Sequence, residues 1–225
     1  MPISRSMTRL CVGGLAGLLA AACCHAGAAQ PPTEKQVSSF FRAVQMDDAS
    51  TVRKMVGTVV NANELNPLGG EPALVLAIRE GAKEVVQDLL AHPGTDLERK
   101  AVNGNTALMM AAFKRDGDTT RALLDKGARV NQAGWTALHY AAASGDDKIA
   151  QLLIARGAQV DALSPRATGA VTPLMMAARE GQDAMVRLLL AKGAKPGLKN
   201  TEGFTAAQLA KQAGHDKLSE LLGGR

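Results

Sequence analysis

Few residues in this chain are of types that could do chemistry. Four His and three Cys are present. Met109-Met110 and Met175-Met176 form pairs, and thioethers suit Cu(I), so these pairs could belong to a metal carrier. A competing role is packing, because Met is mostly a gap-filler in cores. Past the first 28 residues only His92, His139 and His215 remain, far apart and without a spaced Cys or His partner. A metal site needs several convergent ligands, so no metal is expected. Asp47-Asp48 and Asp146-Asp147 stand where helices begin and suit the positive end of the helix dipole. No nucleophile elbow and no glycine loop that would cradle phosphate occurs. The sequence therefore predicts no catalytic constellation, no cofactor and no enzyme.

The cysteines lie in a different kind of segment. Arg5 and Arg9 precede an uncharged, mostly apolar stretch from Leu10 to Cys24, and Ala26-Gly27-Ala28 follows. A positive start, a short apolar run and a small-residue exit describe a secretory signal peptide, here 1–28. The run is short for a membrane span. A rival is lipidation at Cys23, although Ala20 stands where a bacterial lipoprotein signal has Leu. Cys11, Cys23 and Cys24 all fall before the cut, so the processed chain is thiol-free, which suits an oxidising compartment. The Ala-rich leader resembles bacterial ones, and a periplasmic location is expected; secretion is the alternative.

The remaining residues repeat. Pro72-Ala73-Leu74, Thr106-Ala107-Leu108, Thr136-Ala137-Leu138, Thr172-Pro173-Leu174 and Thr205-Ala206-Ala207 align, with first residues 34, 30, 36 and 33 apart. Leu89-Leu90, Leu123-Leu124, Leu152-Leu153, Leu188-Leu189 and Leu221-Leu222 recur at one phase after them. Gly127-Ala128, Gly157-Ala158 and Gly193-Ala194 close three of the repeats, and Gly81, Gly145, Gly181 and Gly214 fall between the two helical patterns. A glycine at a helix end accepts the left-handed conformation without steric cost.

Two motifs in register at a period of about 33 residues resemble the ankyrin-repeat family. The best single match is Gly134-Trp135-Thr136-Ala137-Leu138-His139-Tyr140-Ala141-Ala142. The resemblance implies an all-α repeat solenoid: two antiparallel helices and a β-hairpin-like finger per repeat, about five to six repeats including caps. Residues 29–33 read as a linker and 34–66 as a divergent N-terminal capping repeat. The array is 67–225, with repeats near 70–102, 103–133, 134–167 and 168–202 and a polar cap at 203–225. His139 would hydrogen-bond between loops, as its slot does in the family. Arg115 departs by standing where other repeats have glycine. The connection Val130–Gly134 is about three residues short and Asp161–Val171 about three long, and such changes map to loops.

A net charge of +5 is mild, and the basic residues are scattered among acidic ones, so no nucleic-acid partner is implied. The resemblance implies another protein as partner, bound by a monomer through finger tips and exposed inner-helix ends. The inner-helix ends are Arg79-Glu80, Phe113-Lys114, Ala143-Ser144 and Arg179-Glu180. The finger ends are Glu71, Asn105, Trp135, Val171 and Phe204. The candidate partner-binding residues are Arg79, Phe113, Lys114, Trp135 and Arg179, because aromatic and Arg anchors dominate interface energy. Alternatively, Trp135 covers its own short finger and Phe113 packs on Arg115. Three functions remain open: a periplasmic protein-binding scaffold, a secreted effector that binds host proteins, and an accessory or metal-handling factor for a periplasmic enzyme.

Overall fold

A threonine hydroxyl starts most of the inner helices. Thr106 Oγ1 accepts the Met109 N–H at 3.4 Å, Thr172 that of Met175 at 3.2 Å, and Thr205 that of Gln208 at 3.4 Å. Each bond satisfies a backbone donor that the helix itself leaves free. The structure, a computed structural model, describes residues 31–224. The segment 1–28, with Cys23, lies outside them.

Helices alternate inner and outer. The inner ones are α1 (Glu34–Gln45), α3 (Ala73–Glu80), α5 (Ala107–Phe113), α7 (Ala137–Ser144), α9 (Pro173–Arg179) and α11 (Ala206–Gln212). Their outer partners are α2 (Ala49–Met55), α4 (Lys83–Ala91), α6 (Gly117–Asp125), α8 (Asp147–Ala155), α10 (Asp183–Ala191) and α12 (Asp216–Gly223). Each inner helix packs on its own outer partner and on the next inner helix. Residues 34–56 thus form the expected helix pair at the start of the stack, burying Phe40, Phe41, Val44 and Val52.

Two columns of side chains build the core. Ala77, Ala111, Ala141, Ala177 and Ala210 are fully buried at one position of successive inner helices. A methyl group there lets neighbouring helix axes approach to the 8–10 Å of close helix packing. Leu89, Leu123, Leu153 and Leu189 are fully buried at one position of successive outer helices. Each such burial is worth about 2–3 kcal/mol and is available only with a neighbouring repeat in place.

The turns inside the repeats need a left-handed residue. Gly145 and Gly181 take φ of +71°, and Arg115 adopts the same conformation at +59° without being glycine. Asp47, at φ +55°, is the equivalent residue of the first repeat. Asp48 Oδ1, not Asp47, caps α2, by accepting the Thr51 N–H at 3.0 Å. Asp47 instead reaches the next repeat, where its carboxylate accepts the Val85 N–H at 2.9 Å and the Glu84 N–H at 3.4 Å. That helix, α4, has Ala82 at its N-cap position and so no side-chain cap of its own.

The fingers are narrower than a true hairpin. No extended strand occurs among the described residues; only isolated bridges Val56–Val60 and Leu65–Pro72 do. Single backbone bonds close the fingers, such as Ala101 N to Asn105 O and Asn200 N to Phe204 O, both 2.9 Å. The long connection contains a 3-10 turn at Arg166–Thr168, and its Ser164 is buried, accepting the Val171 N–H at 2.9 Å.

Candidate interaction surface

Each finger leads into the start of an inner helix whose far end carries the other candidate residues, and the fourth repeat is the irregular point of this array. Phe113, at the end of α5, is 53% exposed. Its ring meets Tyr140 of α7 edge-on, with centroids 6.1 Å apart. Trp135, half-buried, lies 6.3 Å from Tyr140 and 5.2 Å from His139. Phe113, Tyr140 and Trp135 thus form one partly exposed aromatic cluster across two repeats. The Tyr140 hydroxyl donates to Asn105 Oδ1 of the preceding finger, and partial burial raises its pKa.

The cations expected beside these rings are not equivalent. Arg79 is held by Glu71 and Glu80, both at 2.8 Å, and Arg179 by Glu180 at 3.2 Å. Lys114 is exposed and has no ion-pair partner among the described residues. Between Phe113 and Arg179, the matching end of α7 carries only the small residues Ala143 and Ser144.

The finger edge is interrupted above this cluster. Val102 N donates to Gly70 O at 2.9 Å, and Thr201 N to Gly169 O at 2.8 Å, so those neighbouring fingers are stitched together. Among the described residues, no backbone bond joins finger 131–135 to the finger on either side. Its Gly134 is instead faced by Pro165 of the long connection: a methyl group there would come 3.1 Å from the proline ring. The long finger thus leans over the short one. Two large apolar side chains stand out on the preceding finger tips, Leu68 at 97% exposure and Val102 at 80%.

His139 has a structural role. Its Nδ1 accepts the Thr136 N–H at 3.2 Å, so Nε2 carries the proton and donates to the Val171 carbonyl at 3.0 Å. Burial pushes its pKa down to about 4, and the Val171 and Ala162 backbone, which favours the charged ring, opposes only part of that shift. His92 Nδ1 accepts the Gly94 N–H at 3.1 Å, and His215 packs over Gly181. Met109, Met110 and Met175 are buried, whereas Met176 and Tyr140, in the slot of the buried Leu76, are only half-buried. That slot is therefore core in some repeats and surface in others. Among the described residues, no three His, Cys, Asp or Glu side chains converge as a metal site would require.

One set of positioning residues escaped the sequence analysis. The Asn63 amide accepts the Asp96 N–H at 2.7 Å and donates to the Gly94 carbonyl at 2.8 Å. Asn131 does the same two repeats later, with Gln159 N at 2.9 Å and Gly157 O at 2.8 Å. Glu98 accepts the Arg129 N–H at 2.7 Å, and Asp161 that of Lys195 at 3.0 Å. These side chains tie the base of each finger to the next repeat. A signal was available: Asn131 and Asp161 each stand three residues after the Ala of a Gly-Ala pair.

Comparison with known proteins agrees with this geometry. The family model for ankyrin repeats (3 copies) matches residues 40–133, 74–164 and 156–224. This chain is an ankyrin-repeat protein. Human ankyrin repeat and KH domain-containing protein 1 is 44% identical over 94 residues, 40% of this chain and 4% of that protein. Human SH3 and multiple ankyrin repeat domains protein 1 is 32% identical over 133 residues, 57% of this chain and 6% of its own length. Human transient receptor potential cation channel subfamily A member 1 is 28% identical over 118 residues, 51% of this chain and 10% of that protein. The chain thus spans a small fraction of these relatives, all of them animal proteins. Ankyrin repeats generally mediate protein–protein interaction, and among the described residues no helix is long and apolar enough to cross a membrane.

Proposed function

We propose that this ankyrin array is a non-catalytic scaffold in the bacterial periplasm. It binds one partner protein through the edge built by Phe113, Tyr140, Trp135 and Lys114, with Arg79 and Arg179 flanking it. The observation that carries this is the contiguous, partly exposed aromatic cluster Phe113–Tyr140–Trp135. Aromatic anchors each contribute about 2 kcal/mol or more when an interface covers them. The thiol-free processed chain and the leader-like segment 1–28 support the periplasm.

A photo-crosslinking amino acid at Phe113, with one at Lys148 on outer helix α8 as control, tests the site in intact cells. One crosslinked product from Phe113, absent from Lys148 and lost with Trp135→Ala, is expected. Equal products from both positions would refute the site. Fractionation of the same cells tests the location; recovery in the medium would favour the secreted effector over the scaffold.

A further inference from the structure

The interruption of the finger edge points to what kind of partner element fits. We infer that the fourth repeat receives an extended partner segment whose large apolar or aromatic side chain stacks on Phe113, Tyr140 and Trp135, beside a carboxylate that pairs with Lys114. This rests on the scaffold function above and narrows it to one class of ligand.

Three observations carry it. The aromatic rings are partly exposed, and the matching end of α7 carries only Ala143 and Ser144 where other repeats carry Arg79, Phe113 or Arg179. Lys114, next to Phe113, is exposed and has no ion-pair partner among the described residues, while Arg79 and Arg179 are already engaged by Glu71, Glu80 and Glu180. An incoming carboxylate therefore finds an unpaired positive charge beside Phe113 and no need to break an existing pair. Finally, finger 131–135 makes none of the backbone bonds that join its neighbours, and no backbone or side-chain group takes the Gly104 or Gly134 carbonyl among the described residues. Extended backbone brings N–H donors at regular spacing, which suits such free carbonyl groups at a loop edge. A folded helix, with its N–H groups spent internally, offers none outside its first turn.

Trp135 is the single tryptophan of the chain, so its fluorescence reports binding at this site directly. The probe is a set of synthetic peptides of about eight residues, spanning about 27 Å when extended. They lack Trp and carry one Phe and one Glu at varied spacing, with Phe→Ala and Glu→Lys controls. Wild-type protein should show saturable change in Trp135 emission with a Phe/Glu peptide. Loss of the Phe should weaken binding about thirtyfold, as for a central aromatic anchor. Glu→Lys in the peptide should weaken it about threefold at low salt, as for a solvent-exposed ion pair. Lys114→Glu should reverse that preference, and Phe113→Ala should weaken every peptide while leaving the circular dichroism spectrum unchanged. No saturable response to any peptide would overturn the inference. So would a charge preference that survives Lys114→Glu. Crosslinking of a folded partner from Phe113 with no peptide response would overturn this inference and leave the scaffold standing.

Discussion

Asp47 gives the sharpest quantitative prediction, because two opposing effects meet at one residue. Its backbone is left-handed at φ +55°, which favours glycine, while its carboxylate caps α4 of the next repeat through the Val85 and Glu84 N–H groups. Arg115 occupies the equivalent turn two repeats on, at φ +59°, and caps nothing. Its contact with Asp146 is 3.7 Å long on a side chain 62% exposed, so it contributes little. Arg115→Gly therefore isolates backbone relief and should stabilise by about 1 kcal/mol. Asp47→Gly gains the same relief and loses the cap, worth about 1 kcal/mol, so it should be near neutral. Asp47→Ala loses the cap and keeps the strain, and should cost about 1 kcal/mol. Asp47→Asn keeps an acceptor and tolerates the turn, and should cost about 0.5 kcal/mol. Urea unfolding followed by far-UV circular dichroism gives each difference. Hydrogen exchange at the Val85 amide locates it, since protection should fall about fivefold per kcal/mol lost. If Asp47→Gly stabilises as much as Arg115→Gly, the inter-repeat cap contributes nothing and the reasoning fails.

Other outcomes follow from the same contacts. The unfolded state binds a proton on His139 more readily than the folded state, so stability is complete above about pH 6.5 and falls as pH drops toward about 4. The loss should approach about 3 kcal/mol, and His139→Gln should flatten that part of a stability-against-pH curve. Asn131→Ala removes two exposed inter-repeat bonds and should cost about 1 kcal/mol in urea unfolding. Ala141→Leu forces extra volume between inner helices where no surface is exposed, and a loss of about 1–3 kcal/mol should appear as a lower urea midpoint.

The repeat unit was legible in the sequence because solenoid packing imposes it at every period. Ala77 to Ala210 must be small, Leu89 to Leu189 must be large, and the intra-repeat turn needs a left-handed residue, so each constraint left a recurring letter. The left-handed backbone of Arg115 was readable for the same reason: it broke the glycine column. Position by position, however, the sequence could not say what a side chain spends itself on. Arg79 and Arg179 looked like free anchors and are paired with Glu71, Glu80 and Glu180, whereas Lys114, one residue past Phe113, has no ion-pair partner among the described residues. Tyr140 looked like core because Leu76 is, yet its environment depends on Phe113 and Asn105 of the repeat before it. Asp47 looked like part of its own helix start and caps a helix 37 residues away. The period and the helices follow from local chemistry and nearest-neighbour packing, which a linear pattern records. The aromatic edge, the broken finger stitching and the inter-repeat caps depend on how finger lengths offset one repeat against the next, and that offset exists only in three dimensions.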